Sequence, residues 1–262
     1  MNANTVYRRI KTGFLALLVF GAFKACAQDE EPLPETLPDE PAIDIPASVQ
    51  AGIGFIVGFP VGQFGDNITN PGVGIGGQIG YRVPNSPLIL GLDLAYIIYG
   101  RESRHERFSL TIPDVTVQVI TENSIFDGNF FLRLQPRNGI VRPYIDGLFG
   151  FHYLFTLTKI RDVPEPHGDD VASSTNFDDF VFTYGGGVGI MVQMYDGKKN
   201  RTKYNRSPRT VSIDLRLRYM DGELGDYLKH GAVIRSGGNV SLNVTSSETN
   251  LVTAYIGASV DF

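Results

Sequence analysis

Beyond residue 47 the apolar residues return at every second position, the period of a strand and not of a helix. The last segment shows it most clearly. Val252, Ala254, Ile256, Ala258, Val260 and Phe262 make one face, and Thr253, Tyr255, Gly257, Ser259 and Asp261 the other. Seven earlier segments follow the same rule: Val49 to Phe59, Val73 to Val83, Leu88 to Ile98, Phe126 to Leu134, Val141 to Leu157, Phe180 to Met194, and Val211 to Tyr219. One parity in each is bulky and apolar. The other carries glycine with Asp, Asn, Gln, Ser, Thr or Arg. The pattern predicts an all-β chain of eight antiparallel strands.

Eight such strands suit an up-and-down barrel, and two barrels are open to them. A soluble barrel turns its large apolar side chains inward. A transmembrane barrel turns them out into lipid. Six of the eight spans hold 9–11 residues, the length a tilted strand needs to cross a bilayer, and the other two are longer. Aromatics gather near strand ends, at Tyr96, Phe151, Tyr153, Phe180, Tyr184 and Tyr219, where an interfacial girdle would lie. No Lys or Arg falls on the apolar parity of any span, where one at the midplane would cost roughly 2–4 kcal/mol. These features favour the transmembrane reading.

The connections alternate in length. Pro84-Asn85-Ser86-Pro87 and Arg137-Asn138-Gly139 are short, and Asn-Gly suits a tight hairpin. Residues 62–71, 99–121, 159–178 and 220–249 are expected as longer polar connections on the opposite rim. Within them Thr111 to Ile120 and Ala232 to Val244 are β-rich and are expected to prolong strand pairs. The turn from Asp196 to Pro208 breaks the alternation, being long and basic on the short-turn rim.

The first 27 residues read as an export signal. Tyr7-Arg8-Arg9-Ile10-Lys11 is a basic head, and Gly13 to Phe23 is an apolar run too short to span a bilayer as a helix. Ala25-Cys26-Ala27 offers a cleavage site between Ala27 and Gln28. Cys26 also admits lipidation, although Phe23 and Lys24 depart from a lipobox. Residues 28–46, QDEEPLPETLPDEPAIDIP, are acidic and proline-rich with no Lys or Arg, and read as an extended linker.

The whole chain carries 23 basic and 28 acidic side chains, a net charge of −5, so nucleic acid is excluded as an expected partner. A single cysteine excludes an internal disulfide framework and a thiolate zinc module.

The alternating spans, the stretch Arg142-Pro143-Tyr144-Ile145-Asp146-Gly147 and the closing Tyr255-Ile256-Gly257-Ala258-Ser259-Val260-Asp261-Phe262 resemble the OmpA/OmpX-like class of small bacterial outer-membrane β-barrels. The resemblance implies an outer-membrane location, contact with outer-membrane lipid and lipopolysaccharide, and insertion by the barrel-assembly machinery. Phe262 is similar to the terminal aromatic that acts as the assembly signal of such barrels. Members include adhesins, envelope-anchoring proteins, lipid-modifying enzymes and secretion components, so activity is left open. The expected function is non-enzymatic: long loops presented for surface contact, adhesion or envelope integrity, with a surface protein as a candidate partner. A lipid-modifying or proteolytic rim site and a narrow channel are the alternatives.

Candidate chemistry concentrates on the inward parity. Arg82, Asp93, Asp127, Arg133, Arg142, Asp146, His152, Asp214, Arg216 and Arg218, with Asp261 at the end of the last span, are expected to form a paired network that plugs the barrel. Inward glycines leave room for pockets beside it. Gly72-Val73-Gly74-Ile75-Gly76-Gly77 matches a dinucleotide fingerprint but lies inside a strand, without the helix that fingerprint requires. Glu102, His105 and Glu106, and Glu165, His167, Asp169 and Asp170, cluster without metal-site geometry. No catalytic residue, cofactor or metal is expected.

Overall fold

A computed structural model describes residues 48–107, 116–162, 170–197, 210–236 and 239–262. The export segment, the acidic linker and most of the basic turn lie outside the described residues.

Eight strands close into an antiparallel barrel: β1 (Ser48–Pro60), β2 (Gly72–Arg82), β3 (Leu88–Arg107), β4 (Thr116–Leu134), β5 (Val141–Asp162), β6 (Asp170–Asp196), β7 (Thr210–Gly222) and β10 (Leu251–Asp261). β10 pairs with β1, Val57 opposite Ala254, so no sheet edge is left open in the barrel wall. The chain order is up-and-down apart from one insertion. Between β7 and β10, β8 (Leu224–Ser236) and β9 (Asn239–Glu248) form a separate two-stranded sheet. The short α1 (Gln63–Asn67) lies in the connection from β1 to β2.

Strand facing follows the alternation. Ile53, Phe55, Ile75, Phe130, Phe149, Val188, Leu217 and Ile256 are all exposed on the outer wall, Phe55 to 70%. Their neighbours point inward, and Asp93, Asp127, Arg133, Asp214 and His152 are buried. One rim carries the turns at residues 83–87 and 135–140, where Arg137 donates from Nε to the Ser86 carbonyl (2.9 Å) and from Nη2 to Val83 (2.7 Å). This side chain ties the two turns together. Gly139 takes φ 117°, the positive value that an Asn-Gly turn needs.

Two expectations need correction. The connections at 99–121 and 159–178 are shorter than their polarity suggested, although the expected prolongation of a strand pair by Thr111 to Ile120 holds over residues 116–120. β3 and β4 continue their ladder to Arg107 opposite Thr116, and β5 and β6 to Arg161 opposite Asp170. Mixed polarity stops a strand from facing lipid; it does not stop the backbone from pairing above it. Beyond Gly222, where β7 ends, the segment 220–249 does not prolong β7 and β10. It forms its own hairpin, which folds against β6, β3 and β5.

Candidate functional site

The barrel interior is filled in two layers of different chemistry. The lower one, toward the short turns, is ionic. Arg133 donates from Nε (2.7 Å) and Nη2 (2.9 Å) to the two oxygens of Asp146, a bidentate pair fully shielded from water. Arg218 bridges Asp146 (2.8 Å) and Asp93 (2.8 Å), and Arg216 adds a second contact to Asp93 (2.9 Å). Arg142 meets Asp261 at 2.9 Å and Ser212 at 2.8 Å. Gln50 and Thr210 donate to the same Asp261.

Parity placed all ten expected network residues in the lumen, and each is buried. It did not assign their partners. Asp214 is held by Tyr144 and Gln78, not by an arginine. Arg82 donates to the side chain and carbonyl of Gln135. Asp127 accepts from Asn129 (2.8 Å), with His152 Nε2 at 3.5 Å.

The aromatic rings inside the barrel were not foreseen as part of this layer. The guanidinium of Arg133 lies 3.7 Å from the Tyr144 ring centroid, and that of Arg216 lies 3.8 Å from Tyr255. Such cation–π contacts gain from desolvation. They also account for several of the inward glycines, which seat these rings. A Cβ at Gly189 would run into Tyr144, and one at Gly54 or Gly257 into Tyr255.

The upper layer is apolar, which the sequence reading missed. Ile56, Ala95, Ile97, Ile125, Leu154 and Val181 point inward near the long rim and enclose a core with Phe64 of α1 and Tyr227 of β8. Phe64 is fully buried and meets Tyr227 edge-to-face at 4.9 Å and Tyr99 at 5.9 Å. Lys229 Nζ donates to Asn67 Oδ1 (2.9 Å), joining hairpin to helix. The Asp226 amide donates to Asp179 Oδ2 (2.7 Å), and Gly231, at φ 76°, donates its amide to Glu102 (3.2 Å). These bonds hold the hairpin to the walls on either side, and with α1 it caps the mouth.

Glu102 therefore serves the cap. Among the described residues no three His, Cys, Asp or Glu side chains converge as metal ligands. The cluster from Glu165 to Asp169 lies outside the described residues. Gly72–Arg82, which contains the glycine fingerprint, is β2 throughout and offers no helix N-terminus to a phosphate.

No protein-family model and no curated protein matches the chain. Among solved structures it is similar to Ail, the attachment invasion locus protein of Yersinia pestis, determined with the heparin analogue sucrose octasulfate. The identity is 14%, over 82% of this chain and 97% of that one, with a TM-score of 0.35. It is also similar to Neisserial surface protein A (14% identity, 82% and 97% covered, TM-score 0.32). A third likeness is to the N-terminal β-barrel domain of Pseudomonas aeruginosa OprF (11% identity, 82% and 97% covered, TM-score 0.31).

Proposed function

We propose that the chain is an integral outer-membrane barrel without enzymatic activity, which holds its long-connection rim at the cell surface for contact, adhesion or envelope integrity. The observation that carries this reading is the outer wall. Ile53, Phe55, Phe59, Ile75, Leu92, Phe130, Phe149, Phe182 and Leu217 are exposed together around the barrel. An aqueous surface rarely tolerates so continuous an apolar patch. On β1 the apolar stripe runs from Val49 to Phe59, ten steps. At about 3.3 Å per step and a tilt near 40°, that is a height of about 25 Å, the apolar band of an outer-membrane barrel. The filled lumen argues against the channel alternative, because both layers would have to part for ions to pass.

On this reading residues 1–27 direct export with cleavage between Ala27 and Gln28, and the barrel-assembly machinery reads Phe262. The amide of Phe262 donates to the Val49 carbonyl (2.8 Å), so the last residue lies at the closing seam. Outer-membrane lipid and lipopolysaccharide surround the wall, and the capped rim is the surface open to a protein partner.

Cysteines introduced at two exposed positions test the orientation. Ser174→Cys, on the long-connection rim, should react on intact cells with a membrane-impermeant thiol reagent. Asn138→Cys, in a short turn, should react only after the outer membrane is opened. The reverse pattern would place the cap in the periplasm and end the surface reading. Loss of the protein should leave the composition of envelope lipids unchanged; a specific change in acyl chains or headgroups would favour the enzyme alternative.

A further inference from the structure

The apolar outer stripe is taller on one side of the barrel than a lipid band can cover. On β5 the outward residues Phe149, Phe151, Tyr153, Phe155 and Leu157 are apolar or aromatic in unbroken alternation. Level positions on different strands follow from the register. The row through Val57 runs one way to Val73, Ile98, Ser124 and Phe155. The other way it runs to Ala254, Leu217, Val188 and Ile145. Both routes cross four strand pairs and reach β5 ten residues apart, so the position level with Val57 lies midway, at residue 150. Phe59, the top of the β1 stripe, is then level with residue 152.

Tyr153, Phe155 and Leu157 stand one, three and five residues above that edge. At roughly 2.5 Å of height per tilted residue, they rise about 3, 8 and 13 Å above it. The polar layer of a phospholipid leaflet is only about 5–8 Å thick, half the difference between a whole bilayer and its hydrocarbon core. Phospholipid headgroups would leave the top of this surface bare.

The surface has a definite chemistry. Tyr153 and Phe155 stack at 5.4 Å between centroids, Tyr96 lies 6.1 Å from Phe155, and Phe151 stacks on Phe180 at 4.8 Å. Hydrogen-bonding groups frame the rings. Tyr96 donates to Glu122 Oε1 (3.0 Å) and Tyr153 to Asp178 Oδ2 (3.0 Å). Arg101 sits opposite Glu122 in the ladder, and Lys159 follows Leu157 on the same face. Flat rings accept the C–H faces of sugars, carboxylates accept sugar hydroxyls, and the two cations suit phosphate.

We propose that this β3–β6 platform is a binding site for the sugar head of an outer-leaflet glycolipid, lipopolysaccharide in an outer membrane, seated against Tyr153, Phe155 and Leu157 with its acyl chains on the wall below. The occupant is argued from height, from continuity with the lipid-facing wall, and from the polar frame. The proposal rests on the membrane reading above.

The test uses the full-length mature barrel in detergent, with native mass spectrometry to count bound lipid. The probes are rough-type lipopolysaccharide, its delipidated core oligosaccharide, and phosphatidylglycerol. Lipopolysaccharide should bind at least tenfold more tightly than either of the others. The double variant Phe155→Ser, Leu157→Ser should lose at least tenfold of that affinity. Phe59→Ser, the same chemistry at the lipid edge of β1, should lose little. Equal binding of phosphatidylglycerol, equal binding of the free oligosaccharide, or equal loss in the Phe59 variant would each overturn the platform. Both variants must keep the gel mobility of a folded barrel. A parent chain that never shows that mobility contradicts the membrane reading, whereas a folded barrel indifferent to lipopolysaccharide contradicts only the platform.

Discussion

Arg142 and Arg216 face the same lumen but are not equally replaceable. Asp261 has Arg142 as its one ion-pair partner among the described residues, whereas Asp93 is shared between Arg216 and Arg218. Removing one member of a buried pair leaves a stranded charge and costs about 3–5 kcal/mol. Arg142→Met should therefore lower the urea midpoint of refolded barrel more than Arg216→Met, which leaves Asp93 still paired. Equal midpoints would mean that Asp261 draws enough from Gln50 and Thr210, or that water reaches it. Parity along each strand made the lumen side of every one of these residues legible. The partners were not, because the ten-residue stagger around the barrel decides which side chains share a level. That offset is why Arg82 meets Gln135 and Asp214 meets Tyr144.

The β8–β9 hairpin was legible only as a strand pair: Ala232 to Val244 reads as β-rich and Ser236 pairs with Asn239, but its separation from the barrel sheet and its docking were not readable. Segment 220–249 reads as a polar connection, yet it contributes Tyr227, Leu228, Ala232 and Val233 to buried clusters. A signal was present on the opposing walls. Ile97-Ile98, Ile125-Phe126, Leu154-Phe155 and Val181-Phe182 break strict alternation near the long rim, putting apolar residues on both faces at once. The outer member of each pair belongs to the wall, and the inner one needs a partner that the barrel strands do not supply. Phe64 of α1 supplies part of it. Phe64→Ala should cost about 3–5 kcal/mol, as for other fully buried phenylalanines, read as a lower urea midpoint. An unchanged midpoint would show that the cap docks without this ring. Because the ionic layer lies below the cap, replacing residues 224–248 by a short Gly-Ser turn should still give a barrel without steady conductance in planar bilayers. A stable current through that variant would mean that the cap alone closes the lumen.

At the scale of the molecule the eight-strand closure and its facing were readable in advance, since a period of two fixes which side of a sheet each residue takes. The unequal height of the wall was legible only in part: Val141 to Leu157 reads as one long alternating span, but how far it rises above β1 depends on the register around the barrel, and β3–β4 and β5–β6 continue as ladders through mixed sequence. Closure also gives the C-terminus its importance. β10 must pair with β1, and an open edge in lipid would leave backbone groups unsatisfied at several kcal/mol each. Phe262 adds one backbone bond and a half-exposed ring to that seam, so deleting it should scarcely alter refolding into detergent. In cells the same deletion should sharply reduce the inserted fraction. Equal insertion of truncated and intact chains would remove Phe262 as an assembly signal.

The central claim, a closed barrel that lives in lipid, is tested most directly by the gel mobility of protein extracted from cell membranes and run with and without boiling. A closed eight-strand barrel with a bonded lumen should resist the detergent unboiled and migrate as a compact species, then shift to the mobility of its full chain after boiling. Identical mobility under both conditions would contradict the account.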